Sequence, residues 1–509
     1  MRDGFYITSA IYYVNDVPHI GHTYEIVACD VLARYHRLAG ERVWFLTGTD
    51  EHSQNVAKAA EERGLTPQAW TDQILPARRE VFAQLLISYD DFIRTSEPRH
   101  VDGVQRFLSK LHEGDDVYLG TYEGPYCVSC EEFKAEAELV DGRCPIHLIP
   151  VEQLSEENYF FRLSRYQEPL LRLYQEAPEF VGPAVRRNEV VSFVQAGLRD
   201  LSISRAAAIW GVPIPWDPSH ITYVWVDALL NYATAVGYGE EPERFASIWP
   251  ADVHMIGKDI TRFHAVIWPA MLMAAGVPLP ERVFAHGFLT VGGEKMSKSR
   301  GTGIAPADLI QRFGVDGLRY AFLREFTFGQ DGNFSVESLD ARYTSELANG
   351  LGNLASRVLA MTDSYFDGLV PEPRSREPGG SLATGAAAMA ARYDAGMRAI
   401  ELHEAAAALD EFVRESNRFV VGVAPWVLAK DPARRQDLAD GLYESLEALR
   451  LAALFASPIM PGAAERLWGQ LGLEGRVIDA HLPDAGTWGG LQPGTPTRRG
   501  ESLFPRLEE

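Results

Sequence analysis

"GFYITSAIYYVNDVPHIGHTYEIVACDVLARYHRLAG", residues 4–40, holds the pattern on which the fold turns. "GFYIT" (4–8) is rich in aromatic and β-branched residues and reads as a short buried strand. Residues 20–39 then carry helical periodicity through Ile26, Val27, Leu32 and Leu38, and Gly40 supplies the stop. "RVWFLT" (42–47) is a second buried strand, so the segment is a strand–helix–strand unit whose helix begins at "PHIGH". Further strand-like runs lie at "HITYVWVDA" (220–228), "DVHMIG" (252–257) and "RVFAHGFLTV" (282–291). The economical reading is an α/β fold, a Rossmann-type parallel sheet split by a long insertion.

The expected domains follow from that reading. Residues 1–118 are the first half of the sheet domain, 119–217 the insertion, and 218–285 the second half. Residues 286–349 form a connecting region with a Gly/Ser/Lys loop. After it the sequence turns helical: Tyr393, Met397 and Ile400 share one face, as do Leu409, Phe412, Ser416 and Val420, then Leu442, Leu446 and Leu449. An α-helical bundle over 350–470 follows, with "PEPRSREPGGS" (371–381) as a surface loop. Residues 471–509, rich in Gly and Pro, read as an extended tail. There are no internal repeats.

A chain of 509 residues with 46% hydrophobic and 23% charged residues is ordinary globular material. No stretch approaches the length of a membrane span, and the N-terminus lacks the pattern of a signal peptide, so a cytoplasmic protein is expected. The formal net charge of −22 argues against a surface coated for nonspecific nucleic-acid binding. It leaves room for a local basic stripe with strong salt sensitivity. Four cysteines are too few for a disulfide framework, and Cys29, inside the first helix, reads as a small buried hydrophobe.

Three constellations carry chemistry. His19 and His22 flank a glycine at a helix start; as a lone pair they suit a metal, a core site or an anionic ligand. "CVSC" (127–130) and "CPIH" (144–147), thirteen residues apart, form two knuckles. Their ligands Cys127, Cys130, Cys144 and His147 can close tetrahedrally on one structural zinc; the bland reading is a chance run of polar turn residues. "GGEKMSKSRG" (292–301) sets Lys295, Lys298 and Arg300 among Gly and Ser, a cationic loop suited to a polyphosphate or simply a solvated surface loop.

"HIGH" at the first helix and "KMSKS" roughly 270 residues on are the paired signature of class I aminoacyl-tRNA synthetases. "AIYYVNDVPHIGH", "FLTGTDEH", "YCVSC…CPIH", "YVWVDALLNY", "IGKDITRFHAVIWPAML", "EKMSKSRG", "GNLASR" and "APWVLAK" together resemble the methionyl-tRNA synthetases, from residue 10 to residue 430. The resemblance is to the form with a single zinc knuckle and no appended C-terminal tRNA-binding domain, which implies a monomer.

The resemblance implies activation of methionine by ATP to methionyl-adenylate and pyrophosphate. The aminoacyl group then passes to the 3′-terminal adenosine of tRNA(Met) with a CAU anticodon. It implies that His19 and His22 donate to the ATP phosphates at the helix N-terminus, where exposed N–H groups already favour an anion. Gly21 lets adenine approach the backbone, Gly257 and Asp259 of "GKD" meet the ribose side, and Lys295 and Lys298 stabilise the pyrophosphate. Magnesium accompanies ATP. The implied methionine pocket is Ile11, Tyr13, Trp225, Ala228, Leu229, Tyr232, Ile260, Phe263 and His264, with Asp50 as counter-ion of the ammonium. Arg205 of "LSISR" is the implied pocket support, holding Asp50 or the pocket wall; for the aromatics the alternative is plain core packing. Asn353 and Arg357 of "GNLASR", four apart on one helix face, read the anticodon, with Trp426 stacking on a base. Without the resemblance Trp426 reads as a core residue.

Rivals fit less well. A cysteine ligase keeps cysteines in its amino-acid site, whereas here they cluster in the insertion. The large editing insertion of isoleucine, valine and leucine ligases does not fit in about 100 residues. A small nucleotidyltransferase has no need of the helical bundle, and a non-catalytic tRNA-binding relative has little reason to keep both histidines and both lysines.

Overall fold

The computed structural model describes residues 4–14, 20–128, 132–134, 136, 139–145, 148–206, 210–291, 294–295 and 306–507. They fall into two compact units that do not follow chain order. One holds residues 1–18, 44–82 and 89–286; the other holds 19–43, 83–88 and 287–509. The first helix, α1 (Ile20–Leu38), therefore belongs by its contacts with the C-terminal half of the chain.

The first unit is organised by a parallel sheet. Its strands are β1 (Phe5–Thr8), β2 (Tyr12–Tyr13), β3 (Val43–Asp50), β4 (Asp91–Arg94), β5 (Val181–Gly182), β6 (Val253–Gly257) and β7 (Val283–His286). They pair in the order β2-β3-β1-β6-β7-β5, with β4 also on β3. β1, β6 and β7 are buried at every position, as parallel strands covered on both faces must be. Gly48 is required where β3 meets β4, because a Cβ there would lie 2.1 Å from the Ile93 carbonyl oxygen. Three helices matter for the site: α2 (Pro98–Glu113), α3 (Val224–Leu229) and α4 (Trp268–Ala275). Between β4 and β6, a long antiparallel pair, 117–127 with 152–161, forms a second sheet that ends at Cys127.

Two sequence expectations need correction. The run 220–228 is not one strand: residues 217–222 form an antiparallel strand of a small separate sheet, and α3 takes over from Val224. The β propensity of Tyr, Val and Trp yields here to packing, since Val224, Val226, Ala228 and Leu229 all enter the core. The run 282–291 also divides: Val283–His286 belongs to the parallel sheet, and Leu289–Val291 to a three-stranded sheet with 294–295 and 332–333. The two-residue β5 lies within the segment 119–217 and yet pairs in parallel with β7; two residues show no periodicity.

The second unit is helical. It contains α1, α5 (Pro306–Arg324), α6 (Asn353–Phe366), α7 (Ser381–Ala399), α8 (Leu402–Val423), α9 (Arg435–Ala456) and α10 (Pro461–Gln470). The periodic residues read from the sequence are buried: Tyr393 and Met397 on α7, Leu409, Phe412, Ser416 and Val420 on α8, and Leu442, Leu446 and Leu449 on α9. Cys29 is fully buried on α1, where burial pushes its thiol pKa well up. The described part of the tail has short 3-10 turns and a bridge from Pro496 to Leu369, and it is fastened: Glu447 of α9 accepts the N–H groups of Gly489, Gly490 and Leu491. Among the described residues no helix is long and apolar enough to cross a membrane.

The node of this unit is Arg319 on α5, which has no exposed surface. Its guanidinium donates to Asp30 of α1 at 2.7 Å and to the carbonyls of Ile459, Leu85 and Pro458 at 2.9, 2.9 and 3.0 Å. Asp30 also takes Arg34 at 2.7 Å and the backbone and hydroxyl of Ser88 at 2.6 Å, and these cations and donors hold its carboxyl below the usual range. Removing one member of a buried pair leaves the other unmatched, at about 3–5 kcal/mol. Arg319→Met is therefore expected to lower the thermal unfolding midpoint markedly. Arg398→Ala, which removes exposed pairs with Glu41 and Asp394, is expected to cost about 0–1 kcal/mol.

Candidate active site

In the first unit the end of β3, α3 and the start of α4 supply one aromatic-lined region. Trp225 stacks on Phe263 at 4.1 Å between centroids and 11° between planes, and Tyr13 meets Trp225 edge-on at 6.3 Å. Ile11, Tyr13, Trp225, Ile260 and Phe263 are half-buried and pack against the main core, whereas Ala228, Leu229, Tyr232 and His264 are buried. Every residue implied for the methionine pocket thus lies in this unit. Phe263 and His264 open a π-helical turn, Phe263–Ile267, that leads into α4.

The polar groups beneath the slot have fixed roles. His264 Nδ1 faces the Ile260 carbonyl at 3.1 Å; a carbonyl only accepts, so this nitrogen carries the proton. Its Nε2 then accepts from the Tyr232 hydroxyl at 2.7 Å. Burial pushes the His264 pKa down to about 4, which keeps the ring neutral in this arrangement. Beside it, the Trp268 indole N–H, a donor only, gives to His254 Nε2 at 3.2 Å, so His254 Nδ1 donates to the Thr8 hydroxyl at 2.7 Å. The His254 ring lies 4.3 Å from that of Tyr232, and burial holds it neutral too. The slot therefore rests on two neutral histidines, with the Tyr232 hydroxyl proton committed to His264.

Asp50, at the end of β3, is 3% exposed. Arg205 is buried in the insertion; its guanidinium donates to the Ser202 hydroxyl and the Ser204 carbonyl and lies 4.4 Å over the Tyr223 ring, next to α3. Gly257 ends β6, and a Cβ there would sit 2.7 Å from the carboxylate of Asp259, which is exposed on the following 3-10 turn. The residues that sequence reasoning missed are His52, His100 and Asp227. Asp227 is fully buried between His52 Nδ1 and His100 Nε2, each at 2.8 Å. The one signal in the sequence is a charged residue inside each of two apolar runs, "FLTGTDEH" and "YVWVDALL".

In the second unit Gly21 and His22 stand half-buried in the first turn of α1, where helical N–H groups lack intrahelical partners. Lys295 belongs to the short strand 294–295, paired with Thr290. His19 and Lys298 lie outside the described residues. Asn353 is exposed at the start of α6, and the Arg357 guanidinium one turn on lies 5.7 Å from the Trp426 ring. Trp426 is 39% exposed, with Val421 and Val427 exposed nearby in sequence, so it is no core residue. Cys127 and Cys144 are both buried, Cys144 in a turn closed by Leu148 N–H to its carbonyl. Cys130 and His147 lie outside the described residues, and among the described ones no group of three potential ligands could hold a metal.

Comparison with known proteins agrees in both halves of the chain. The family model for tRNA synthetases class I (M) matches residues 5–153 and 149–359, and that for the anticodon binding domain of methionyl tRNA ligase matches 373–509. A methionine–tRNA ligase of Streptomyces coelicolor is 52% identical over 99% of this chain and 97% of its own length. One from Rhizobium meliloti is 47% identical over 99% of both. The structure of Mycobacterium tuberculosis methionyl-tRNA synthetase in complex with methionyl-adenylate superimposes with a TM-score of 0.94 at 42% identity, covering 99% of this chain and 100% of that one.

The neutral His264 has a consequence for acid stability. Between about pH 6.5 and pH 4 an unfolded chain carries a proton on this imidazole that the native chain lacks, so stability falls as the pH drops through that window. The melting temperature of the wild type is expected to fall more steeply from pH 6.5 to about pH 4.5 than that of His264→Gln. Equal slopes would show that this ring is not buried as a neutral base.

Proposed function

The chain belongs to the methionyl-tRNA synthetase family, and on that footing we propose which of its residues do what. It is a methionine–tRNA ligase: methionine and ATP give methionyl-adenylate and pyrophosphate, and methionine then passes to the 3′-terminal adenosine of tRNA(Met). The observation that carries the residue assignment is the slot of Tyr13, Trp225, Phe263, Tyr232 and His264, apolar and polarizable, beside the buried carboxylate of Asp50. Aromatic rings attract a thioether sulfur by about 0.3–1.5 kcal/mol. Ile11, Ala228, Leu229 and Ile260 complete the apolar wall, Asp50 takes the α-ammonium, and Arg205 supports the wall through Tyr223 rather than the substrate.

ATP activation is displacement at the α-phosphate, where positioning and charge stabilisation supply the rate. His19 and His22 donate to the phosphates together with N–H groups of the first turn of α1. Gly21 leaves room for the adenine, Asp259 accepts from the ribose hydroxyls over Gly257, and Lys295 and Lys298 meet the charge that builds on pyrophosphate. Magnesium enters bound to ATP as part of the substrate.

Cys127, Cys130, Cys144 and His147 hold one zinc. Buried thiols at 127 and 144 suit a closed site of soft ligands, and zinc there supplies folding energy and no step of the reaction. Asn353 and Arg357 read the CAU anticodon while Trp426 stacks on a base, a role its exposure supports. The enzyme acts as a monomer, and its substrates are those of the translating cytoplasm.

Two measurements test this reading. Trp426→Ala is expected to lose about 1–3 kcal/mol in tRNA charging and to leave methionine-driven ATP–pyrophosphate exchange at the wild-type rate; loss of both would return Trp426 to a structural role. Metal analysis is expected to find about one zinc per chain, and chelation to lower the melting temperature. A metal-free chain with unaltered stability would refute the site.

A further inference from the structure

The mechanism above leaves one buried group of ionisable side chains without a task. Asp227 sits on α3 among the residues that build the methionine slot, with Trp225 on one side and Ala228 and Leu229 on the other. His52 follows Asp50, the proposed partner of the methionine ammonium, by two residues at the end of β3. The two meet at 2.8 Å, His52 Nδ1 to Asp227 Oδ2.

The state of this pair can be worked out from its partners. Asp227 is fully buried, and the two imidazoles that flank it bring its pKa down to about 2 against the cost of burial, so it is ionised and only accepts. His52 must therefore donate from Nδ1, which leaves Nε2 as the ring nitrogen that the carboxylate does not hold. His100 closes the far side of the carboxylate, from Nε2 to Asp227 Oδ1 at 2.8 Å, and is itself tied to Thr234 at 2.8 Å. His52 Nε2 makes no hydrogen bond to a described residue, in a side chain that is 5% exposed.

The segment that carries His52 is rigid. Glu51 accepts from Nε and Nη2 of Arg94, at 2.7 and 3.0 Å, and its own N–H donates to the Thr95 hydroxyl at 2.9 Å. The Trp210 indole donates to the Glu51 carbonyl at 2.6 Å and presents its ring edge-on to His52, 5.0 Å away. A carboxylate that fixes Nδ1–H of a held imidazole and leaves Nε2 open is the arrangement of a general base.

We propose that His52, oriented by Asp227, is the base of the second half-reaction. This rests on the reading of Asp50 as the ammonium partner, because the reacting carbonyl carbon is bonded to the same Cα as that ammonium. The hydroxyl oxygen of the terminal adenosine forms its bond to the carbonyl carbon while its proton passes to His52 Nε2. The bond from that carbon to the phosphate oxygen breaks, and its electron pair leaves on AMP. The proton then goes to solvent or to the departing phosphate, and the ring returns neutral. Activation, which moves no proton from a hydroxyl, makes no use of this base.

The test is single-turnover transfer from enzyme-bound methionyl-adenylate to tRNA, set beside methionine-driven ATP–pyrophosphate exchange, in wild type, His52→Gln, His52→Ala and Asp227→Asn. Transfer is expected to fall about 100-fold or more in both His52 variants, with exchange within about 3-fold of wild type, and added imidazole to restore part of the transfer rate of His52→Ala. Asp227→Asn is expected to slow transfer in the same sense. Equal loss of exchange and transfer in His52→Gln, with a raised KM for methionine, would make His52 an ammonium partner or a structural group and overturn the proposal. Unchanged transfer would overturn it as well. Wild-type exchange that does not respond to methionine would instead sink the reading of the pocket.

Discussion

A carboxylate with no access to water must be matched on the spot or give up its charge, and Asp227 is matched by two imidazoles 2.8 Å away. Its two partners come from just after β3 and from α2, so with α3, which carries Asp227, three stretches far apart in the chain meet. Asp50, two residues before His52, and the flanks of α3 carry the charge and the apolar wall of the slot proposed for methionine, and its aromatic rings are held by contacts of their own, Trp225 on Phe263 and Tyr13 on Trp225. The same economy appears below Tyr232, where a donor-only indole and an acceptor-only carbonyl leave His254 and His264 a single tautomer each.

The helical unit repeats the device with a different pair. Arg319 spends its guanidinium on Asp30 and three backbone carbonyls, binding α1, α5 and the turn before α10. α1 is the helix whose first turn holds Gly21 and His22, so the phosphate-binding end proposed here belongs to a helix fastened within the unit that also carries Arg357 and Trp426. An ion pair of this kind fixes geometry more than it adds stability, because burial of both charges offsets much of their attraction.

The sequence was readable where one physical pattern dominates. β1, α1 and β3 stand within a few residues of their expected bounds because each is a continuous apolar run or a clean 3.6-residue period. It was not readable at 220–228, where β-forming residues are drawn into a helix by the core, or at the two-residue β5. Nor does a linear sequence announce a contact across 175 residues, which is how His52 reaches Asp227. Trp426 shows the reverse case: its type argues for the core, and only the family resemblance, then its exposure, placed it at a surface. The histidine and lysine motifs were legible as motifs alone, since neither has an apolar period to betray its place.

On the proposed reading the chain has a pocket for one side chain, unbranched, apolar and polarizable, next to an anchor for an ammonium. The measurement that bears on it most directly is ATP–pyrophosphate exchange with purified enzyme across a panel of amino acids. Methionine is expected to drive exchange, with leucine and cysteine far below it at equal concentration. Exchange driven by leucine or cysteine as well as by methionine would contradict the account.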